Sequence, residues 1–161
     1  SIAEALRNAR GAEMRLDRRT IAGIEVINDA YNANPDSVLA AVRAFGGLMT
    51  GVERRVLVLG EMLELGEAGP GLHEEVGRAI AETVRAGQGP DFVVLVGDLA
   101  RLAQEPIVSA LGPDGVVLEP EAGDGRSIAE RLRPGDGVLL KGSRSVGLER
   151  VVLAMQAPAP A

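Results

Sequence analysis

Residues 29–37 read Asp-Ala-Tyr-Asn-Ala-Asn-Pro-Asp-Ser and gather acids, amides, a hydroxyl and Tyr31, the only tyrosine of the chain. Asp29 can bind ribose hydroxyls or a metal-bound water, or it can simply stabilise a turn. Asn32 and Asn34 can read the edge of a base, and Asn34 can equally cap a helix. Tyr31 can pack on a planar ring or sit as a half-buried aromatic. A second stretch, Lys141-Gly142-Ser143-Arg144, combines two cations, a hydroxyl and a glycine that permits close backbone approach. That composition suits phosphate or carboxylate recognition, or a basic loop lying in solvent. A third, Gly60 to Glu67, offers Glu61, Glu64 and Glu67, acids that can approach a magnesium ion or remain solvated. His73, the sole histidine, lies beside Glu74 and Glu75 and is expected at the surface. With no second histidine and no cysteine, a zinc site is not expected, and no metal ligands are assigned.

These residues need elements to hold them. Ile24 to Asn28 reads as a strand leading into Asp29. Asn34-Pro35-Asp36 then starts a helix: Asn34 can cap, Pro35 fits the first position, and Asp36 suits the positive end of the dipole. Val38, Leu39, Val42 and Phe45 share one face of that helix, and Gly46-Gly47 is expected to end it. Val56-Leu57-Val58-Leu59 is a continuous apolar run, typical of a strand buried on both faces, and it leads into the Gly60 loop. A helix follows from about Gly71 to Ala86. Phe92 to Val96 is a further buried strand. Asp98 is expected to cap a helix from Leu99 to Leu111. Gly115 to Leu118 is a short strand, Ser127 to Leu132 a helix, and Val138 to Leu140 a last strand entering Lys141. Gly147 to Met155 is the final helix.

Ahead of these, Ile2 to Arg10 reads as a short amphipathic helix or linker. Met14 to Arg19 reads as a strand that forms a hairpin with Ile24 to Asn28. Strands alternating with helices specify an α/β domain: a Rossmann-like three-layer fold with a mostly parallel sheet of about six strands and helices on both faces. In such a sheet the three polar loops lie along one edge, where open α/β folds bind ligands.

The totals agree with one domain. There are 161 residues, 46% hydrophobic and 25% charged, with 2% aromatics, so Val, Leu, Ile and Ala must build the core. The net charge of −6 argues against general nucleic-acid binding. No cysteine means no disulfide. No apolar run reaches membrane-spanning length, and a cytoplasmic location is the expectation. The cations are sixteen arginines and a single lysine, Lys141, which singles out that position because the two side chains differ in chemistry. The first residue is Ser1 rather than methionine, which suits a piece of a longer protein. Residues 1–155 are expected to form the domain and 156–161 a disordered Pro/Ala tail. No G-x-x-x-x-G-K-[ST] and no G-x-G-x-x-G after a strand occurs, so this piece holds no P-loop and no dinucleotide fingerprint.

Taken in order, Asp29 to Ser37, Leu57 to Gly66 (Leu-Val-Leu-Gly-Glu-Met-Leu-Glu-Leu-Gly), His73, Val96-Gly97 and Leu140 to Arg144 resemble the C-terminal domain of the Mur ligase family, in its MurF branch. The likeness covers nearly the whole chain. Its first and last motifs are distinctive of that branch. It implies a cytoplasmic three-domain enzyme whose N-terminal domain binds a UDP-sugar and whose central domain carries the P-loop and most of a magnesium site. The C-terminal domain then closes over ATP. The implied reaction joins D-Ala-D-Ala to UDP-MurNAc-tripeptide through an acyl phosphate, in peptidoglycan precursor synthesis. The N-terminal and central domains are absent from this chain and would be its partners.

The resemblance also implies site residues. Arg15, Asp29, Tyr31, Asn32 and Asn34 would bind ATP, with Asp29 on the ribose. Arg18 or Arg19 could replace Arg15, whose context matches loosely. Gly60, Glu61, Glu64, Lys141, Gly142, Ser143 and Arg144 would face the peptide substrate, and Lys141 and His73 the substrate or phosphoryl region. No catalytic residue is assigned to this domain. Glu61 stands where the family more often has aspartate. Two other readings remain open at this level: a stand-alone α/β nucleotide-binding module without ligase activity, and the C-terminal domain of another Mur or folylpolyglutamate-type ligase.

Overall fold

The computed structural model describes residues 17–31 and 33–157. A six-stranded sheet runs in the order β1-β2-β6-β3-β4-β5. Its strands are β1 (Asp17–Ile21), β2 (Ile24–Asp29), β3 (Arg54–Gly60), β4 (Phe92–Val96), β5 (Val116–Glu119) and β6 (Asp136–Lys141). Only β1 is antiparallel, paired to β2. Every other neighbouring pair is parallel. The expected hairpin and mostly parallel sheet are both present.

The alternation of side chains along each strand divides the core in two. Ile27, Leu57, Leu59, Val93, Leu95 and Leu139 face one layer. That layer is built by α1 (Pro35–Leu48), α2 (Gly69–Arg85) and α3 (Gln104–Leu111), which contribute Val38, Val42, Phe45, Val76, Ile80 and Ile107. Val26, Val56, Val58, Val94, Val138 and Leu140 face the other layer. There α4 (Arg126–Ala129) and α5 (Glu149–Gln156) supply Ile128, Val151 and Val152. A strand with apolar neighbours on both faces must be apolar at every position, which is why β3, β4 and β6 read as unbroken runs.

Several local expectations change. Gly46-Gly47 does not end α1, which continues to Leu48. A Cβ at Gly46 would overlap the carbonyl of Gln88, so glycine lets the helix pack against that backbone. The helix expected from Leu99 is a 3-10 turn at Ala100–Ala103 followed by α3. Ala122 opens a turn before α4, which is only four residues long. The tail from residue 158 onward and the segment before Asp17, including the expected helix at Ile2 to Arg10, lie outside the described residues.

The topology creates a crevice. After β2 and β3 the chain turns to the layer of α1 and α2, whereas after β6, which lies between them, it turns to the layer of α5. The exits of adjacent strands therefore diverge above their carboxyl ends, which is where open parallel sheets take ligands.

Candidate functional site

The register brings residues distant in sequence into line. Asp29 pairs with Lys141, and Lys141 with Leu59, at the carboxyl ends of β2, β6 and β3. Lys141 Nζ donates to Asp29 Oδ2 at 2.8 Å. Their side chains are only 2% and 7% exposed. Burial raises the Asp29 carboxyl above its ordinary range, and the bond and charge of Lys141 only partly oppose this. An ammonium and a carboxylate thus sit under the floor of the crevice, and the pair does not offset the desolvation of its own acid.

Above this pair, the loops after β3 and β6 are fastened together. The amide of Ser143 donates to the Glu61 carbonyl at 3.0 Å, and Leu63 N–H donates to Ser143 Oγ at 2.9 Å. Gly60 and Gly142 permit this approach: a Cβ on Gly142 would come within 3.0 Å of Gly60 Cα. The loop after β3 is also tied to the loop after β4. Glu61 Oε2 accepts from Leu99 N–H at 3.0 Å, and a Cβ at Gly97 would overlap the Glu61 side chain. The amide after Asp98 is thus held by Glu61, and the turn that follows carries no side-chain cap from Asp98.

His73 is buried, not on the surface. α2 begins at Gly69, with Pro70 in its first turn, and so places His73 one turn inside the helix. Nε2 accepts from Met62 N–H at 2.9 Å. That nitrogen therefore carries no proton, and Nδ1 donates to the Gly69 carbonyl at 2.6 Å. Both ring nitrogens are committed to backbone. Directly after the two held amides of Met62 and Leu63, Glu64 takes φ 63°, a left-handed conformation that non-glycine residues adopt at a cost. It is exposed.

The loop after β2 forms the rim. Asn34 caps α1: its Oδ1 accepts from Ser37 N–H at 2.9 Å, and Ser37 Oγ accepts from Asn34 N–H at 3.2 Å. Its carbonyl oxygen is therefore used by the helix. Tyr31 is 75% exposed, and the Arg144 guanidinium stacks on its ring at 5.2 Å. That contact, worth about 0.5–1 kcal/mol at an exposed position, links the β2 and β6 loops across the crevice.

The edge thus assembles Asp29, Tyr31, Gly60, Glu61, Glu64, Lys141, Gly142, Ser143 and Arg144. Arg15 and Asn32 lie outside the described residues. Arg18 is engaged elsewhere, with Glu25 Oε2 at 3.0 Å and the Leu48 carbonyl at 3.0 Å. Arg19 lies on β1 opposite Val26. Sequence reasoning missed the interlocking of the loops. Its only local trace is the glycines at positions 60, 97 and 142. Among the described residues no grouping of three or more His, Cys, Asp or Glu is placed to hold a metal ion, and no helix is long and apolar enough to cross a membrane. An open groove of about 940 Å³ between α2 and α3 is lined by Arg78, Arg85, Arg101, Glu105 and Ser109. It includes none of the edge-loop residues, and concavity without converging chemistry does not make it the site.

Comparisons with known proteins place the chain in a family. The family model for the Mur ligase, glutamate ligase domain, matches residues 14–144. The UDP-N-acetylmuramoyl-tripeptide–D-alanyl-D-alanine ligase of Bacillus subtilis is 34% identical over 152 residues, covering 93% of this chain and 32% of that protein. The ligase of the same name from Mycobacterium tuberculosis H37Rv is 35% identical over 151 residues, covering 84% and 29%. A crystal structure of MurF from Acinetobacter baumannii superposes with a TM-score of 0.71 at 28% identity, over 96% of this chain and 33% of that one. MurF ligase from Thermotoga maritima in complex with ADP gives 0.62 at 27% identity, over 88% and 30%. The chain thus spans about a third of the length of these relatives.

Proposed function

Because the chain belongs to the Mur ligase, glutamate ligase domain family, we propose that it is the C-terminal, nucleotide-closing domain of an ATP-dependent ligase that joins D-Ala-D-Ala to UDP-MurNAc-tripeptide. The observation that carries the choice within the family is the identity to UDP-N-acetylmuramoyl-tripeptide–D-alanyl-D-alanine ligases over most of this chain. In this reaction the terminal carboxylate of the tripeptide attacks the γ-phosphorus of ATP, giving an acyl phosphate and ADP. The dipeptide amine then attacks the acyl carbon, loses its proton, and phosphate departs with the C–O bond electrons as the amide forms.

The chain's own residues orient and enclose. Asp29 and Tyr31 take the adenosine, with Arg15 and Asn32 completing that subsite, and Asn34 shapes it by fixing the start of α1. Lys141, Ser143 and Arg144 face the peptide and phosphoryl groups, with Gly60, Gly142 and Glu64 beside them. Closing this edge over the reactants would align them and exclude water from the acyl phosphate. By the family resemblance, the P-loop, most of the magnesium site and the UDP-sugar site belong to the central and N-terminal domains.

The test is phosphate release by the full-length protein with ATP. Release that requires both UDP-MurNAc-tripeptide and D-Ala-D-Ala is expected. Release with a different amino acid, or with neither substrate, would reject the assignment. In the same assay Asp29→Ala should raise KM for ATP by roughly tenfold, and an unchanged value would remove Asp29 from the nucleotide site.

A further inference from the structure

His73 is the sole histidine of the chain and is bonded to the loop after β3 through Met62 N–H. It is buried, and its two nitrogens bond only to backbone, at Met62 N–H and the Gly69 carbonyl. We propose that His73 is a positioning residue: through the Met62 amide it sets the loop that presents Glu64 to the dipeptide substrate.

Three observations converge. Met62 and Leu63 are consecutive, and their amides are held from different sides, by His73 on α2 and by Ser143 on the loop after β6. The following residue, Glu64, is exposed with φ 63°. A non-glycine residue stays in that conformation only where its surroundings over-determine it. The two clamped amides are such surroundings, and the residue they fix is an exposed carboxylate on a loop bonded to the one that follows Lys141. A fixed carboxylate is the complement of an ammonium group. The incoming dipeptide supplies one at its reacting end, whereas ATP carries none. His73 reaches the site only through the backbone. Its loss should therefore weaken dipeptide binding and leave nucleotide binding, which belongs to the β2 loop, nearly unchanged.

This rests on the ligase reading above, and the experiment separates the two. A wild-type full-length protein without dipeptide-dependent phosphate release ends both the reading and this inference. With an active wild type, His73→Asn and His73→Gln are compared. Asparagine can keep the bond to Gly69 but offers no acceptor at the Nε2 position. Glutamine places an amide oxygen there. For His73→Asn we expect KM for D-Ala-D-Ala to rise roughly tenfold to a hundredfold with KM for ATP within about twofold of wild type. Amide exchange should quicken at Met62 and not at Val58 in the core of β3. His73→Gln should restore most of the dipeptide KM. Equal losses in both KM values, no rescue by glutamine, or wild-type kinetics in His73→Asn would each overturn the inference. Should His73→Asn fail to fold, Glu64→Gln removes the presented charge and leaves the backbone bonds of the loop in place. A raised dipeptide KM with an unchanged ATP KM supports the inference, and an unchanged dipeptide KM rejects it.

Discussion

At its amino end β6 begins with Asp136, and at its carboxyl end it finishes with Lys141; each is half of an ion pair, and the pairs differ in kind. Arg54 grips Asp136 through two bonds, at 2.8 and 2.7 Å. The same carboxylate accepts from Arg133 N–H at 2.9 Å, and Arg54 also donates to the Arg131 carbonyl and stacks on Phe92. The bond to Asp136 holds Arg54 above its ordinary pKa in spite of partial burial. At the other end, Lys141 presents a point charge to Asp29, and burial outweighs the pairing. A planar, multiply bonded guanidinium with its acid fully satisfied is what structural locking requires. A compact ammonium beside an under-compensated acid is a poor lock and a good recognition element. One strand therefore separates stability at one end from the proposed chemistry at the other.

The comparison can be broken at the lower end first. Asp136→Ala leaves Arg54 and the Arg133 amide without their acceptor and should cost about 3–5 kcal/mol, read as a shifted urea midpoint of this chain. Lys141→Met should cost less at neutral pH, about 1–3 kcal/mol, because Asp29 can take up a proton instead of remaining a lone buried charge.

The sign with pH is fixed by the raised Asp29 carboxyl. A folded-state pKa above the unfolded value means that the folded state holds the proton more tightly. Stability is full below the unfolded value and declines as pH rises through the folded one. Removing Lys141 extends that decline upward, so the deficit of Lys141→Met should shrink on acidification. Urea titrations at pH 5 and pH 8 that show a deficit growing at low pH would contradict this.

The contrast sharpens in the double variant Asp29→Leu with Lys141→Met. Replacing both members of a buried pair by apolar groups is often neutral or stabilising, so it should melt within about 1 kcal/mol of wild type while the full-length protein loses the proposed ligase activity. The smallest effect is expected at Glu64→Gly. Relief of the left-handed backbone should stabilise the chain by about 0.5–1 kcal/mol, seen as a small rise in Tm, together with weaker dipeptide use. A stability gain without functional loss would leave the conformation of Glu64 unexplained.

How much of this was legible beforehand depended on whether the cause was local. The apolar runs at Val56–Leu59 and Val93–Val96 announced buried strands because burial on both faces leaves no room for a polar residue. The cap at Asn34 was equally plain, since its partner, Ser37, is three residues away. Lys141 and Asp29 were both singled out, yet as members of separate subsites. Nothing local places β6 between β2 and β3, and their contact spans 112 positions. His73 was read as a surface residue because its acidic neighbours, Glu74 and Glu75, are exposed. Its burial follows from a loop eleven residues upstream folding back over the helix. Glu61 was read as a ligand-facing acid, and Asp98 as a cap. That Glu61 reaches the Leu99 amide depends on the space left at Gly97, a tertiary fact.

The position of β6 in the sheet has a further consequence, for the order of events in folding. The strand that joins the two halves of the sheet is the last of its six in sequence. Until it emerges, β2 and β3 have no neighbour between them, and each offers an open edge to any other extended chain. Pairing so distant in sequence is slow to form. A nascent chain should therefore remain incompletely folded, and dependent on protection from aggregation, through most of its synthesis. When β6 does insert, it delivers Lys141 to Asp29 in the same step that closes the sheet, so the domain and its proposed binding edge come into existence together.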